Sequence, residues 1–152
     1  MIEIKDYKDK HEFISDKGVK SVVYLMDCMD LLRQIPEKYF MLSIIDPPYG
    51  IGAGSVNFKN GTKVRPSKFY KRNDWDTSIP ATEYWEQLFR ISKNQIVWGG
   101  NYMTEFLPPS RCWIFWDKGT GDNSYADGEL AWTSFDKVVK KFSKFWSGEN
   151  AR

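Results

Sequence analysis

One histidine and two cysteines are all that 152 residues offer for metal or thiol chemistry. His11 lies in a polar stretch with no visible partner, and Cys28 and Cys112 belong to no paired motif. A zinc cluster or a disulfide framework is therefore not what organises this chain, and a pair of reduced thiols is expected. A strong net charge is missing too. With 22 basic against 20 acidic residues, nothing draws the whole molecule toward a polyanion, so any such contact has to be local. Neither an apolar run of membrane-spanning length nor an apolar N-terminal signal segment is present, so a cytoplasmic protein with no membrane partner is expected. Aromatic residues, by contrast, are plentiful at 16%, enough to fill a core and to stack on planar ligands.

The length suits a single domain, 1–152, with a sizeable core. Residues 1–19 are polar and read as a leader or a short helix ending at Gly18. Val22 to Met26 is a continuous apolar run, the pattern of a strand covered on both faces. Asp27 can cap the stripe Met29, Leu31, Leu32 and Ile35, which stops at Pro36. Leu42 to Ile45 reads as a second buried strand. From 52 to 74 apolar periodicity vanishes while basic residues accumulate, which predicts a long mobile loop, and long loops in compact domains are usually functional. Helical spacing returns over Thr82 to Ile91, followed by strands at Gln95 to Trp98, Cys112 to Trp116 and Glu129 to Phe135. The alternation predicts an α/β sheet with crossover helices. Phe135 to Trp146 supports two readings. Phe135, Val138, Val139, Phe142, Phe145 and Trp146 have helical spacing with lysines opposite, which predicts a helix from Asp136 to about Lys141.

The strand at Leu42 ends in Asp46-Pro47-Pro48-Tyr49-Gly50. Two prolines donate no backbone hydrogen bond and fix φ, so pairing stops and the Asp46 carboxylate and Pro47 carbonyl are left as acceptors. Tyr49 adds a flat apolar face. A planar ring carrying an amino group fits there: the amine donates to both acceptors while the ring stacks on the tyrosine.

The tetrapeptide resembles the signature of the amino-group DNA methyltransferases that use S-adenosylmethionine. Further stretches are similar to phage-type members whose catalytic half comes first: Val22 to Leu32 with Ile35-Pro36, Gln95 to Tyr102, Trp116-Asp117-Lys118 and Glu129 to Trp132. The resemblance implies a Rossmann-like methyltransferase sheet. It makes Asp46 and Pro47 the residues that hold the target amine, and Tyr49 the one that stacks on a base flipped out of double-stranded DNA. Aspartate at the first position is similar to adenine-specific members, whereas serine is commoner in those that modify cytosine N4. The resemblance places Asp27, Cys28 and Asp46 at the cofactor, although Asp27 reads equally as a helix cap. Asn101 and Tyr102 follow a double glycine and read either as a turn or as walls of the same pocket. Lys59, Lys63, Arg65, Lys68, Lys71 and Arg72 are interleaved with aromatics directly after the tetrapeptide, and read either as a DNA-contacting loop or as a solvated one. Gly50-Ile51-Gly52-Ala53-Gly54 and Gly119-Thr120-Gly121 lack the strand–helix context of a cofactor loop and read as turns. The resemblance also implies that the last strand of the catalytic half falls within Phe135 to Trp146.

No Phe-x-Gly-x-Gly-like cofactor loop occurs, so the expectation is an incomplete sheet, the catalytic half only, inactive or weak alone. Three functions remain open: the catalytic portion of an adenine methyltransferase, a DNA-binding module without chemistry, and an unrelated small α/β binding protein. If the cofactor half is absent, the strand at Val22 needs another partner. The sequence reading favours a second chain, as a homodimer or a complementing C-terminal chain, over direct pairing with Leu42 to Ile45.

Overall fold

The computed structural model describes residues 2–52, 76–119 and 126–145. Its elements run β1 (Asp9–Ile14), β2 (Lys20–Leu25), α1 (Cys28–Gln34), β3 (Phe40–Ile45), α2 (Thr82–Ile91), β4 (Ser92–Trp98), a 3-10 turn (Gly100–Tyr102), β5 (Trp113–Asp117), β6 (Gly128–Thr133) and β7 (Lys140–Ser143). Five strands form one mixed sheet in the order β3-β4-β6-β5-β7, and β1 pairs with β2 in a separate antiparallel hairpin. The protein is thus α/β, but β3–α2–β4 is the only parallel crossover made by a helix among the described residues. The strand β6 runs antiparallel between β4 and β5.

Helix α2 forms where the sequence predicts it, because Trp85, Leu88 and Ile91 recur on one stripe and all three are buried. The first two join Val97, Met103, Leu107 and Trp132 in the main core. Each such side chain contributes about 1.5–3 kcal/mol by leaving water. The polar groups inside are paired. Ser92 donates to the Leu88 carbonyl at 2.8 Å, Gln95 donates to the Ser92 carbonyl at 2.9 Å, and Thr133 donates to the Cys112 carbonyl at 2.7 Å. Ile91, at the other end of α2, belongs to a second cluster with Ile4 and Ile35, on which Tyr24, Met26, Leu31 and Leu32 pack.

Three sequence readings are corrected. Residues 1–19 are not a leader or a helix, since Asp9–Ile14 is a strand paired along its whole length with β2. The run at Val22 is not a strand covered on both faces. It is half of this hairpin, with Tyr24 and Met26 turned to the second cluster while Val23 and Leu25 face solvent. One of its edges is paired by the chain's own N-terminal segment, rather than by the second chain that the sequence reading favours or by β3. Asp136 to Lys141 is not helical either. An apolar stripe needs something to bury it, yet Val138 and Val139 stay exposed, and the edge of β5 offers β7 a parallel partner with Phe142 opposite Trp116. The stretch thus holds a strand, Lys140–Ser143, where periodicity predicts a helix. Of the two strands near it, β6 stops at Thr133 rather than Phe135. Among the described residues no helix is long and apolar enough to cross a membrane.

Candidate functional site

Strands β3, β4, β5 and β7 all point the same way, so their C-terminal ends share one rim with the start of β6. Open sheets place ligands outside that rim. Asp46, Pro47 and Tyr49 stand on it directly after β3. The sequence reading puts them on a central strand; β3 is instead the edge of the five-stranded sheet.

The Asp46 carboxylate is exposed, and its Oδ1 accepts the Tyr49 hydroxyl at 2.7 Å. Pro47 is buried, and its carbonyl accepts no hydrogen bond among the described residues. The Tyr49 ring stacks on Tyr102, with centroids 5.1 Å apart and planes 17° from parallel. Behind it lies Gly99, where an added β-carbon would fall 2.2 Å from the ring. That closeness demands a glycine, as does the positive φ of +65° by which the chain leaves β4. Burial first, and the bond to Asp46 second, push the Tyr49 phenol well above its ordinary titration range, so it remains a donor.

Asp76 anchors this turn. Its side chain is 2% exposed, and a single oxygen accepts the Tyr49 N–H at 2.7 Å and the Gly50 N–H at 2.9 Å. Its backbone carbonyl accepts the Gly52 N–H at 2.9 Å. Sequence reading missed this residue. Further along the rim, Lys118 pairs with Glu129 and stands 5.2 Å from the Trp116 ring centroid. The Glu129 charge adds to the upward push on Tyr49. At the end of β5, Lys141 holds the Asp117 carboxyl below its usual range, and the Gly119 N–H helps.

Of the other sequence candidates, Asp27 is a helix cap, its Oδ1 accepting the Met29 N–H at 2.8 Å. Cys28 is exposed, and Cys28 and Cys112 are both free thiols. Cys28 stands near Tyr84, whose hydroxyl is pushed up to about 12, chiefly by burial. No hydrogen bond joins Asp27 or Cys28 to Asp46 among the described residues. Tyr102 joins Tyr49, whereas the neighbouring Asn101 is exposed. Gly50, Gly52 and Gly119 have positive φ, as turns require. Lys59, Lys63, Arg65, Lys68, Lys71 and Arg72, with the rest of the expected mobile loop, lie outside the described residues.

At the opposite rim, where β4 begins and β6 ends, a cleft of about 690 Å³ is lined by Phe89, Gln95, Arg111, Trp132 and Asp136 among others. Compared with models of known protein families and with the sequences of curated proteins, the chain finds no match in either.

Proposed function

We propose that this chain is the catalytic portion of a DNA methyltransferase acting on the amino group of a flipped adenine, with S-adenosylmethionine as methyl source. One observation carries the reading: an exposed Asp46, a Pro47 carbonyl that accepts no hydrogen bond among the described residues and the Tyr49 ring occur together at the end of β3. An aminopurine gives one N–H to each acceptor and stacks on an aromatic face. The amine nitrogen of adenine is a poor nucleophile because its lone pair is delocalised into the ring. Two acceptors that take its hydrogens draw it toward tetrahedral geometry and fix the direction of the lone pair. Flipping costs a few kcal/mol. Stacking returns about 1–3 kcal/mol of it, and phosphate contacts from Lys59, Lys63, Arg65, Lys68, Lys71 and Arg72 supply the remainder.

What supports the reading lies on the amine side of this reaction. Asp27 is engaged by the Met29 N–H, and neither it nor Cys28 is bonded to Asp46. The cofactor side then falls to a complementing chain or a second copy. In support, β3 has a partner on one side only among the described residues, and Met41, Leu42 and Ile44 are exposed along it. A DNA-binding module without chemistry is the second reading, favoured by the same engagement of Asp27.

A pool of duplexes with 2-aminopurine in place of adenine tests both readings. Fluorescence rises as the base leaves the stack, and Tyr49→Ala weakens the binding that produces it. No rise anywhere in the pool overturns the proposal. Uptake of S-adenosylmethionine by the complemented assembly, followed calorimetrically, favours the enzyme; intact flipping without uptake favours the module. In an active assembly, Asp46→Ala lowers turnover far more than DNA affinity, because its bond to the amine matters most as the nitrogen becomes tetrahedral.

A further inference from the structure

We infer that Asp76 is the positioning residue of the Asp46–Tyr49 turn, the group that holds the aromatic platform in place. The inference rests on the reading above, which makes Tyr49 the stacking face. Pro47 and Pro48 have no N–H, so the first backbone donors after Asp46 are those of Tyr49 and Gly50. Both go to one oxygen of Asp76, at 2.7 and 2.9 Å. Asp76 is buried, so water does not substitute for it, and its loss leaves those two N–H groups without their acceptor. The same residue's backbone carbonyl takes the Gly52 N–H, which closes the turn on its far side.

The consequence reaches the ring. With the Tyr49 backbone fixed, its ring lies against Gly99 and meets Tyr102, and its hydroxyl arrives 2.7 Å from Asp46. Asp76 is not itself placed to touch a bound base. It acts through Tyr49, by where its acceptor oxygen stands. Asp76→Asn keeps a carbonyl oxygen in the same place. Asp76→Glu keeps the charge and moves the oxygen by one methylene. Asp76→Ala removes the acceptor.

Amide hydrogen exchange at Tyr49 and Gly50, ring contacts between Tyr49 and Tyr102 by nuclear magnetic resonance, and affinity for the 2-aminopurine duplex pool are measured on the full chain and all three variants. Expected are amide protection and ring contacts retained in Asp76→Asn and lost in Asp76→Ala and Asp76→Glu. Duplex affinity falls about tenfold or more in the latter two and recovers in Asp76→Asn. Should Asp76→Ala fail to fold, the Asn and Glu pair still decides the matter. Protection and ring contacts unchanged in Asp76→Glu overturn the inference, as does a loss in Asp76→Asn equal to that in Asp76→Glu. Lost ring contacts with unchanged duplex affinity overturn it as well. A wild-type chain that leaves 2-aminopurine stacked refutes the proposed function instead, and the exchange and ring contacts then judge Asp76 by themselves.

Discussion

The two faces of the five-stranded sheet are made of similar residues and have opposite fates. On one, Val97 and Trp132 lie beneath α2 at 0% and 2% exposure. On the other, Ile44, Ile96, Trp98, Ile114, Trp116 and Phe142 carry no helix among the described residues, and Ile44 is 62% exposed. Aromatics there cover one another: Trp116 and Phe142 stack at 6.0 Å, and Trp98 meets Trp116 edge-on at 6.3 Å. Three lysines, Lys137, Lys140 and Lys141, line the same shallow groove. Apolar composition alone does not bury a face; a neighbour has to be supplied. A sheet with a parallel strand at its edge ordinarily has both faces covered, and this one has a single cover in place.

The contrast is tested most strongly by paired truncations. Trp85→Ala under the covered face costs about 3–5 kcal/mol, read from the denaturant midpoint, whereas Ile44→Ala on the bare face shifts stability by about 0.5 kcal/mol or less. A large loss at Ile44 means that the bare face is covered in solution, and sedimentation then identifies the cover as a second copy or something else. Gly99→Ala is expected next in size. Its positive φ costs roughly 1–2 kcal/mol, and the new methyl drives the Tyr49 ring off its place, so the ring contact with Tyr102 disappears. Retention of that contact would show the rim to be softer than its packing implies. A smaller effect sets the hairpin against the sheet. Hydrogen bonds from Lys10, then from Lys20, hold the Glu12 carboxyl at about 2, below its ordinary 4.5. A depressed carboxyl lends stability that is present above 4.5 and lost as pH falls from there through about 2. Amide exchange in β1 and β2 should therefore accelerate across that window while β4 and β6 stay protected. Added salt weakens the effect, because the pair is solvent-screened.

Legibility in the sequence followed whether a residue's partner was near in the chain. Thr82–Ile91 was legible because one stripe of one helix carries the signal. The end of β3 was legible because two prolines act on their own backbone. The hairpin was not, since Asp9–Ile14 is polar and becomes a strand only through pairing with Lys20–Leu25. Phe135 to Phe145 misled because helical spacing and β7 compete, and an open strand edge decided between them. Asp76 left no pattern at all. Its task is to accept hydrogen bonds from a backbone 27 residues upstream, which any sequence around Tyr49 could supply.

The phenol of Tyr49 already occupies the carboxylate oxygen that an incoming amine would want. Arrival is then an exchange of one donor for another, nearly neutral in energy, and little is gained by molecules that merely offer a hydrogen. Departure is affected more. An amine that has acquired a methyl group keeps a single hydrogen and can satisfy only one of the two acceptors. The displaced hydroxyl is at hand to reclaim the vacated oxygen. On the proposed reading, Tyr49 both receives the substrate and helps to evict the product, so Tyr49→Phe should slow release more than capture.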